Sequence, residues 1–140
     1  MRRELTISEQ KIDEQALAQG RVFSAGMGAV VCFLGVVRGT EEGRPISGLE
    51  YETFAPMAQR QFHLLFDQAE ARWPLESVRL VHRLGLVAAG ETSLWIEVVA
   101  PHREEAFAAC QFIITEMKRV VPIWKKAFPP GQMQPILTAS

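Results

Sequence analysis

The sequence predicts a single α+β domain over residues 1–140, with a mostly antiparallel sheet and two main helices. Three observations carry this. Two apolar stripes fall at helical spacing: Phe62, Leu65, Phe66, Ala69 and Trp73, then Ala106, Phe107, Cys110, Ile113, Ile114 and Met117. Around them lie short β-prone segments punctuated by Gly and Pro. The length of 140 residues, with 48% apolar and 22% charged side chains, suits one ordinary globular core.

Taken in order, Arg3 to Ser8 reads as a short strand, and Asp13 to Gln19 as a short helix stopped by Gly20. Gly28 to Val37 is an unbroken β-prone run, the pattern of a central strand covered on both faces. Gly39 to Gly48 is a polar loop whose Gly and Pro content predicts mobility, and Leu49 to Thr53 is a strand. Pro56 opens the first long helix, where its missing N–H costs nothing, and Pro74 ends it. Val78, Leu80, His82 and Leu84 alternate with Arg79, Val81 and Arg83, so a half-buried strand is expected. Ala88 to Glu91 makes a turn. Thr92 to Ala100 follows as a strand, with Leu94, Ile96 and Val98 on one face and Glu97 on the wetter one. The second long helix spans about Arg103 to Arg119, with Glu104 and Glu105 in the first turn, where the dipole favours acids. Val120 to Trp124 is expected at a sheet edge, because Pro122 forbids a central position.

Composition excludes several function classes. A pI near 6.3 and a formal charge of -1 argue against a general nucleic-acid binder. The longest apolar run is about half of the ~20 residues needed to cross a bilayer, and the N-terminus shows no apolar signal region. Cys32 and Cys110 sit in apolar segments without a neighbouring ligand, so two buried, reduced thiols in a cytoplasmic protein are expected. Neither His82 nor Glu97 has a second His, Cys or carboxylate at ligand spacing, and no Gly-rich phosphate loop stands out. No metal and no resident cofactor are therefore expected.

Charge distribution is more informative. The last 24 residues, Met117 to Ser140, carry Lys118, Arg119, Lys125 and Lys126 and no acid, while all 16 Asp and Glu lie upstream. Cations set among Val120, Val121, Ile123 and Trp124 suit an anion pocket or an interface. Lys118 lies about 80° from the centre of the apolar stripe, at its half-sheltered edge, where a lysine acts as acid, base or nucleophile, or merely snorkels over Ile114. Arg119 points to solvent. Lys125 and Lys126 face opposite ways if the segment is extended, one siding with Ile123 and the other with Trp124, or they form an exposed basic edge. His102 and Arg103 stand where a strand gives way to a helix, a natural phosphate position or a plain capped turn. Arg38 follows an apolar strand directly. His82 reads as a structural histidine.

Arg103 and Lys118 sit at opposite ends of one helix, roughly 22 Å apart at 1.5 Å per residue. One small ligand cannot reach both within a chain. Either they serve different sites, or a two-fold dimer builds the pocket from two copies.

Five motifs occur in order: Phe33-Leu-Gly-Val-Val-Arg38-Gly; Leu49-Glu-Tyr-Glu52 with Pro56-Met57-Ala58; His82-Arg-Leu-Gly85; Ala100-Pro-His-Arg103 with Ala106-Phe107; and Met117-Lys118 with Pro122-Ile-Trp-Lys-Lys126. Together, over roughly Gly28 to Lys126, the chain resembles the large, catalytic (MoaE-type) subunit of molybdopterin synthase. The resemblance implies an α/β hammerhead-like fold and a homodimer within a heterotetramer. It also implies a small ubiquitin-like sulfur carrier whose Gly-Gly tail ends in a thiocarboxylate. The implied reaction is sulfur transfer from that tail to cyclic pyranopterin monophosphate, giving the dithiolene of molybdopterin. Lys118 and Lys125 would be catalytic. Val36, Val37, Arg38, His102, Arg103 and Lys126 would bind substrate. Three departures stand out: Ala127 where the family often has Glu, Val36 where a basic residue is common, and a tail reading Phe128-Pro-Pro-Gly-Gln132 where a longer, more polar one is usual. Two other readings fit the same residues. One is a non-catalytic dimeric module that binds a phosphate ligand or a carrier tail. The other is a structural partner whose basic edge docks an acidic protein.

Overall fold

The computed structural model describes residues 1–131; Gln132, the last residue of the divergent tail motif, lies outside the described residues. The elements are β1 (Arg2–Ser8), α1 (Glu14–Gln19), β2 (Ala29–Val36), β3 (Thr40–Glu41), β4 (Arg44–Pro45), β5 (Gly48–Thr53), α2 (Ala55–Arg72), β6 (Ser77–Arg83), β7 (Gly85–Ala88), β8 (Thr92–Ala100), α3 (Arg103–Val120) and β9 (Ile123–Phe128). They make the expected α+β architecture, divided among three sheets. A four-stranded sheet runs β1-β6-β8-β2, parallel only between β1 and β6. A three-stranded antiparallel sheet runs β7-β5-β9, and β3 pairs with β4.

Helix ends follow from local chemistry. Asp13 caps α1 by accepting the Ala16 N–H at 3.0 Å. Pro56 occupies the first turn of α2, as its sequence position predicts. Glu105 reaches back to the His102 backbone N–H at 3.2 Å, which fixes the start of α3. The helices bury Phe62, Phe66, Ala106 and Ile113 against Val78, Leu80, Ile96 and Val98 of the large sheet. Gly28 is required where the chain enters β2: a Cβ there would stand 2.6 Å from the Pro101 carbonyl oxygen.

Several expectations are corrected. The Gly28–Val37 run forms an edge strand, not a central one, and Phe33, Leu34 and Val36 are exposed along it. Cys32 is consequently exposed, while Cys110 is buried as expected. β6 is covered on both faces rather than half-buried, because α1 and the segment after it lie over the side away from α2 and α3. Glu97 is not on a wet face; it is fully buried against Arg79. Phe107 leaves the apolar stripe of α3 and is 61% exposed, while Ala109 takes the buried place. The polar 39–48 segment contains the β3–β4 hairpin, turning through Glu42 at φ 51° and Gly43 at φ 77°. A further strand, β7, precedes the Ala88–Glu91 turn.

Candidate active site

The large sheet, the small sheet and the end of α3 enclose a cavity of about 670 Å³. Three cations reach it from three separate elements: Arg38 just past β2, Lys118 in the last turn of α3 and Lys125 on β9.

The position of Lys125 follows from strand parity. β9 pairs with β5 so that Tyr51 opposes Lys125 and Thr53 opposes Ile123. Ile123 and Lys125 therefore share the face that lines the cavity, and Trp124 and Lys126 share the other. Lys125 sides with Ile123, one of the two arrangements the sequence allowed. Lys126 lies instead with its ammonium 5.9 Å from the Phe128 ring centroid. The turn from α3 into β9 is set at Val121, whose N–H donates to the Met117 carbonyl at 3.0 Å, and by Thr53, whose hydroxyl donates to the Pro122 carbonyl at 2.8 Å. Lys118 and Lys125 line the cavity and are both exposed in the single chain. Arg119 is turned to solvent, as expected, and is paired there with Glu116 at 2.7 Å.

Arg38 is positioned through Val37, which is buried beside Leu49 and Val87. Val37 donates its N–H to the Glu91 carbonyl at 3.0 Å and accepts the Gly90 N–H at 2.8 Å. The 88–91 turn is held in turn by the Glu91 carboxylate, which accepts from the Ala88 N–H, Arg83 and Lys11. Burial pushes the Glu91 carboxyl up, but these donors outweigh it and hold it below the ordinary carboxylate range.

The cavity wall also contains residues that sequence reasoning did not assign to the site. Tyr51 donates to Ser93 Oγ at 3.4 Å, and the Ser93 hydroxyl donates to the Gly35 carbonyl at 3.3 Å. The His82 ring meets Tyr51 edge-on at 5.2 Å and donates from Nδ1 to the Arg83 carbonyl at 2.8 Å. Burial holds its pKa below the usual histidine value. Glu41 enters from β3, with Oε1 3.4 Å from Lys125 Nζ. The alternation of β5 was signal enough to find Tyr51; nothing local in the sequence marks Glu41 or Ser93.

Of the residues singled out from sequence, the cavity brings together Val36, Val37, Arg38, Lys118 and Lys125. It does not include His102, Arg103 or Lys126. His102 and Arg103 sit at the far end of α3, with side chains 73% and 80% exposed. The His102 ring lies 3.4 Å from Glu105, and Arg103 lies 3.8 Å from Glu104.

Among the described residues, no helix is long and apolar enough to cross a membrane. The family model described as MoaE protein matches residues 7–120. The molybdopterin synthase catalytic subunit of Nostoc sp. is 41% identical over 100 residues, 71% of this chain and 61% of that protein. The Vibrio cholerae protein of the same name is 40% identical over 112 residues, 80% of this chain and 72% of its own length. The chain spans half of the Arabidopsis thaliana relative, at 41% identity. Among solved structures, molybdopterin synthase from Staphylococcus aureus superposes with a TM-score of 0.78 at 34% identity, covering 91% of each chain. A Burkholderia multivorans molybdopterin cofactor biosynthesis protein E gives 0.78 at 30%, covering 93% of this chain and 86% of that one. With the family model matched over most of its length and these relatives on the same fold, the chain belongs to the MoaE family.

Proposed function

We propose that the chain is the catalytic subunit of a molybdopterin synthase. In this reading it transfers sulfur from the thiocarboxylated Gly-Gly terminus of a small ubiquitin-like carrier to cyclic pyranopterin monophosphate, in the cytoplasm. One observation carries the reading: Arg38, Lys118 and Lys125, from three distant parts of the chain, converge on one cavity. Both reactants are anions, a thiocarboxylate and a cyclic phosphate. Bringing them together in a partly desolvated pocket requires fixed cations to offset their repulsion. A lysine at the reacting carbon can also carry the protons that move during thiolation. Lys118 takes that role, because the last turn of a long helix fixes it better than an edge strand fixes Lys125.

Phosphate binding by His102 and Arg103 fits this reading only if a second copy supplies them. They stand roughly 22 Å along α3 from Lys118, outside the cavity of their own chain. A homodimer with two shared pockets meets that requirement. The exposed apolar edge of β2, carrying Phe33, Leu34 and Val36, offers a surface for such an interface or for the carrier.

The test is to mix the chain with a thiocarboxylated carrier and the cyclic pyranopterin and to measure the dithiolene product. Product that depends on all three components is the expected result. Binding of carrier and pterin without product would instead identify a non-catalytic binding module.

A further inference from the structure

Among the described residues, the candidate active site contains one carboxylate, and it points at a proposed catalytic group. Glu41 lines the cavity beside Arg38, Lys118 and Lys125, and its Oε1 lies 3.4 Å from Lys125 Nζ. An acid in a pocket meant for two anionic reactants repels both. Its position is nevertheless built in. Glu41 opposes Arg44 in the β3–β4 pairing, and the tight turn at Glu42 and Gly43 aims the strand back at β9. The base of the hairpin is closed by the Ile46 N–H on the Gly39 carbonyl at 2.9 Å and by the Ser47 N–H on the Phe128 carbonyl at 2.8 Å. These two hydrogen bonds at the base of the hairpin keep Glu41 beside the lysine.

The geometry points to Glu41 as the resident counter-ion of the cavity, which holds Lys125 in the empty site and is exchanged for an incoming substrate anion. This rests on the reading that Lys125 serves anionic reactants. The exchange needs only rotation of the Glu41 side chain. It sets a threshold for entry. A lone inorganic anion gains a single contact with Lys125 and loses it to a carboxylate already in place. A reactant that also engages Arg38 and Lys118, or that is held by a docked carrier, outcompetes Glu41. The residue therefore acts on selectivity against small free anions, and touches neither bond that forms nor bond that breaks.

The experiment titrates the full chain with inorganic phosphate by calorimetry at low ionic strength, comparing wild type, Glu41→Gln, Lys125→Gln and the double variant. Removing the carboxylate charge should tighten phosphate binding roughly two- to five-fold, the range of a half-exposed ion pair. The gain should shrink at high salt and be absent when Lys125 is already Gln. Equal affinity of wild type and Glu41→Gln, binding by neither, or a gain that persists without Lys125 would overturn the inference. Turnover of the wild-type chain with the thiocarboxylated carrier, measured separately, reports on the sulfur-transfer reading. A failure of either is therefore visible without the other.

Discussion

Arg79 and Glu97 face each other across β6 and β8 and form a two-pronged ion pair in the interior: Arg79 Nε and Nη2 each lie 2.8 Å from a Glu97 carboxylate oxygen. Arg21 also donates to Glu97, and Arg79 Nη2 donates to the Leu17 carbonyl at 2.8 Å. The pair thereby fastens α1 and the segment after it onto the sheet. Glu97→Ala should cost about 3–5 kcal/mol, because it strands a buried guanidinium, and urea unfolding measures this. Burial pushes the Glu97 carboxyl up, and the two arginines outweigh that and hold it low. Its stabilising contribution is therefore present above the unfolded-state pKa of about 4.3 and is lost as pH falls through the lower folded-state value. The stability gap between wild type and Glu97→Gln should narrow below about pH 4.

Glu91 links the interior to the cavity. Its carboxylate fixes the 88–91 turn, and that turn holds both backbone groups of Val37, the residue before Arg38. Glu91→Ala should cost about 1–3 kcal/mol through the donors it leaves unpaired. By loosening Arg38 it should also raise KM for the pterin, on the order of tenfold. An unchanged KM at reduced stability would show that Arg38 does not depend on the turn.

How much of this was legible in the sequence depended on whether a signal was local. The starts of α2 and α3 and the end of α2 were written in Pro56, Glu104, Glu105 and Pro74. Strand parity only separated Lys125 from Lys126: the strand expected over Val120 to Trp124 runs Ile123–Phe128, and its pairing with β5 decides which lysine meets the cavity. The burial of Glu97 and Arg79 was not legible. A charged residue on the second face of a strand looks the same whether it meets water or, as Arg79 and Glu97 do, an opposite charge 18 residues away on the neighbouring strand. Nor was the edge position of β2. An apolar run reads alike whether sheet layers cover both faces or one side borders a cavity and an unpaired edge. Phe107 shows the same ambiguity on a helix, where it sits at core spacing yet is exposed. The site lysines were legible because an acid-free basic segment is a composition signal. Glu41 was not, because its role arises only when a hairpin and a distant strand meet.

Lys118→Ala and Lys125→Ala should separate chemistry from cavity electrostatics. Removing a charge-stabilising group from an active site lowers kcat by roughly 10²–10³. That loss is expected for Lys118→Ala, with fold and carrier affinity retained by circular dichroism and calorimetry. Lys125 sits opposite Tyr51 on an edge strand and shares its charge with Glu41. Its alanine variant should therefore act more on KM than on kcat. Near-wild-type turnover by Lys118→Ala would remove it from the catalytic role.

The length of α3 makes the last prediction sharp. If Arg103 of one copy completes the cavity that holds Lys118 of another, Arg103→Ala and Lys118→Ala chains should each be inactive as homodimers. Unfolded together and refolded as a mixture, half of the dimers become hybrids. In each hybrid one cavity combines both defects, while the other receives an intact Lys118 and an intact Arg103. Mixing two inactive proteins should then restore roughly a quarter of wild-type turnover, as two-fold symmetry requires. Cavities completed within a single chain would stay inactive in every hybrid. Restored activity thus reads directly whether the 18 residues of α3 place the cations of one cavity on two copies of the chain.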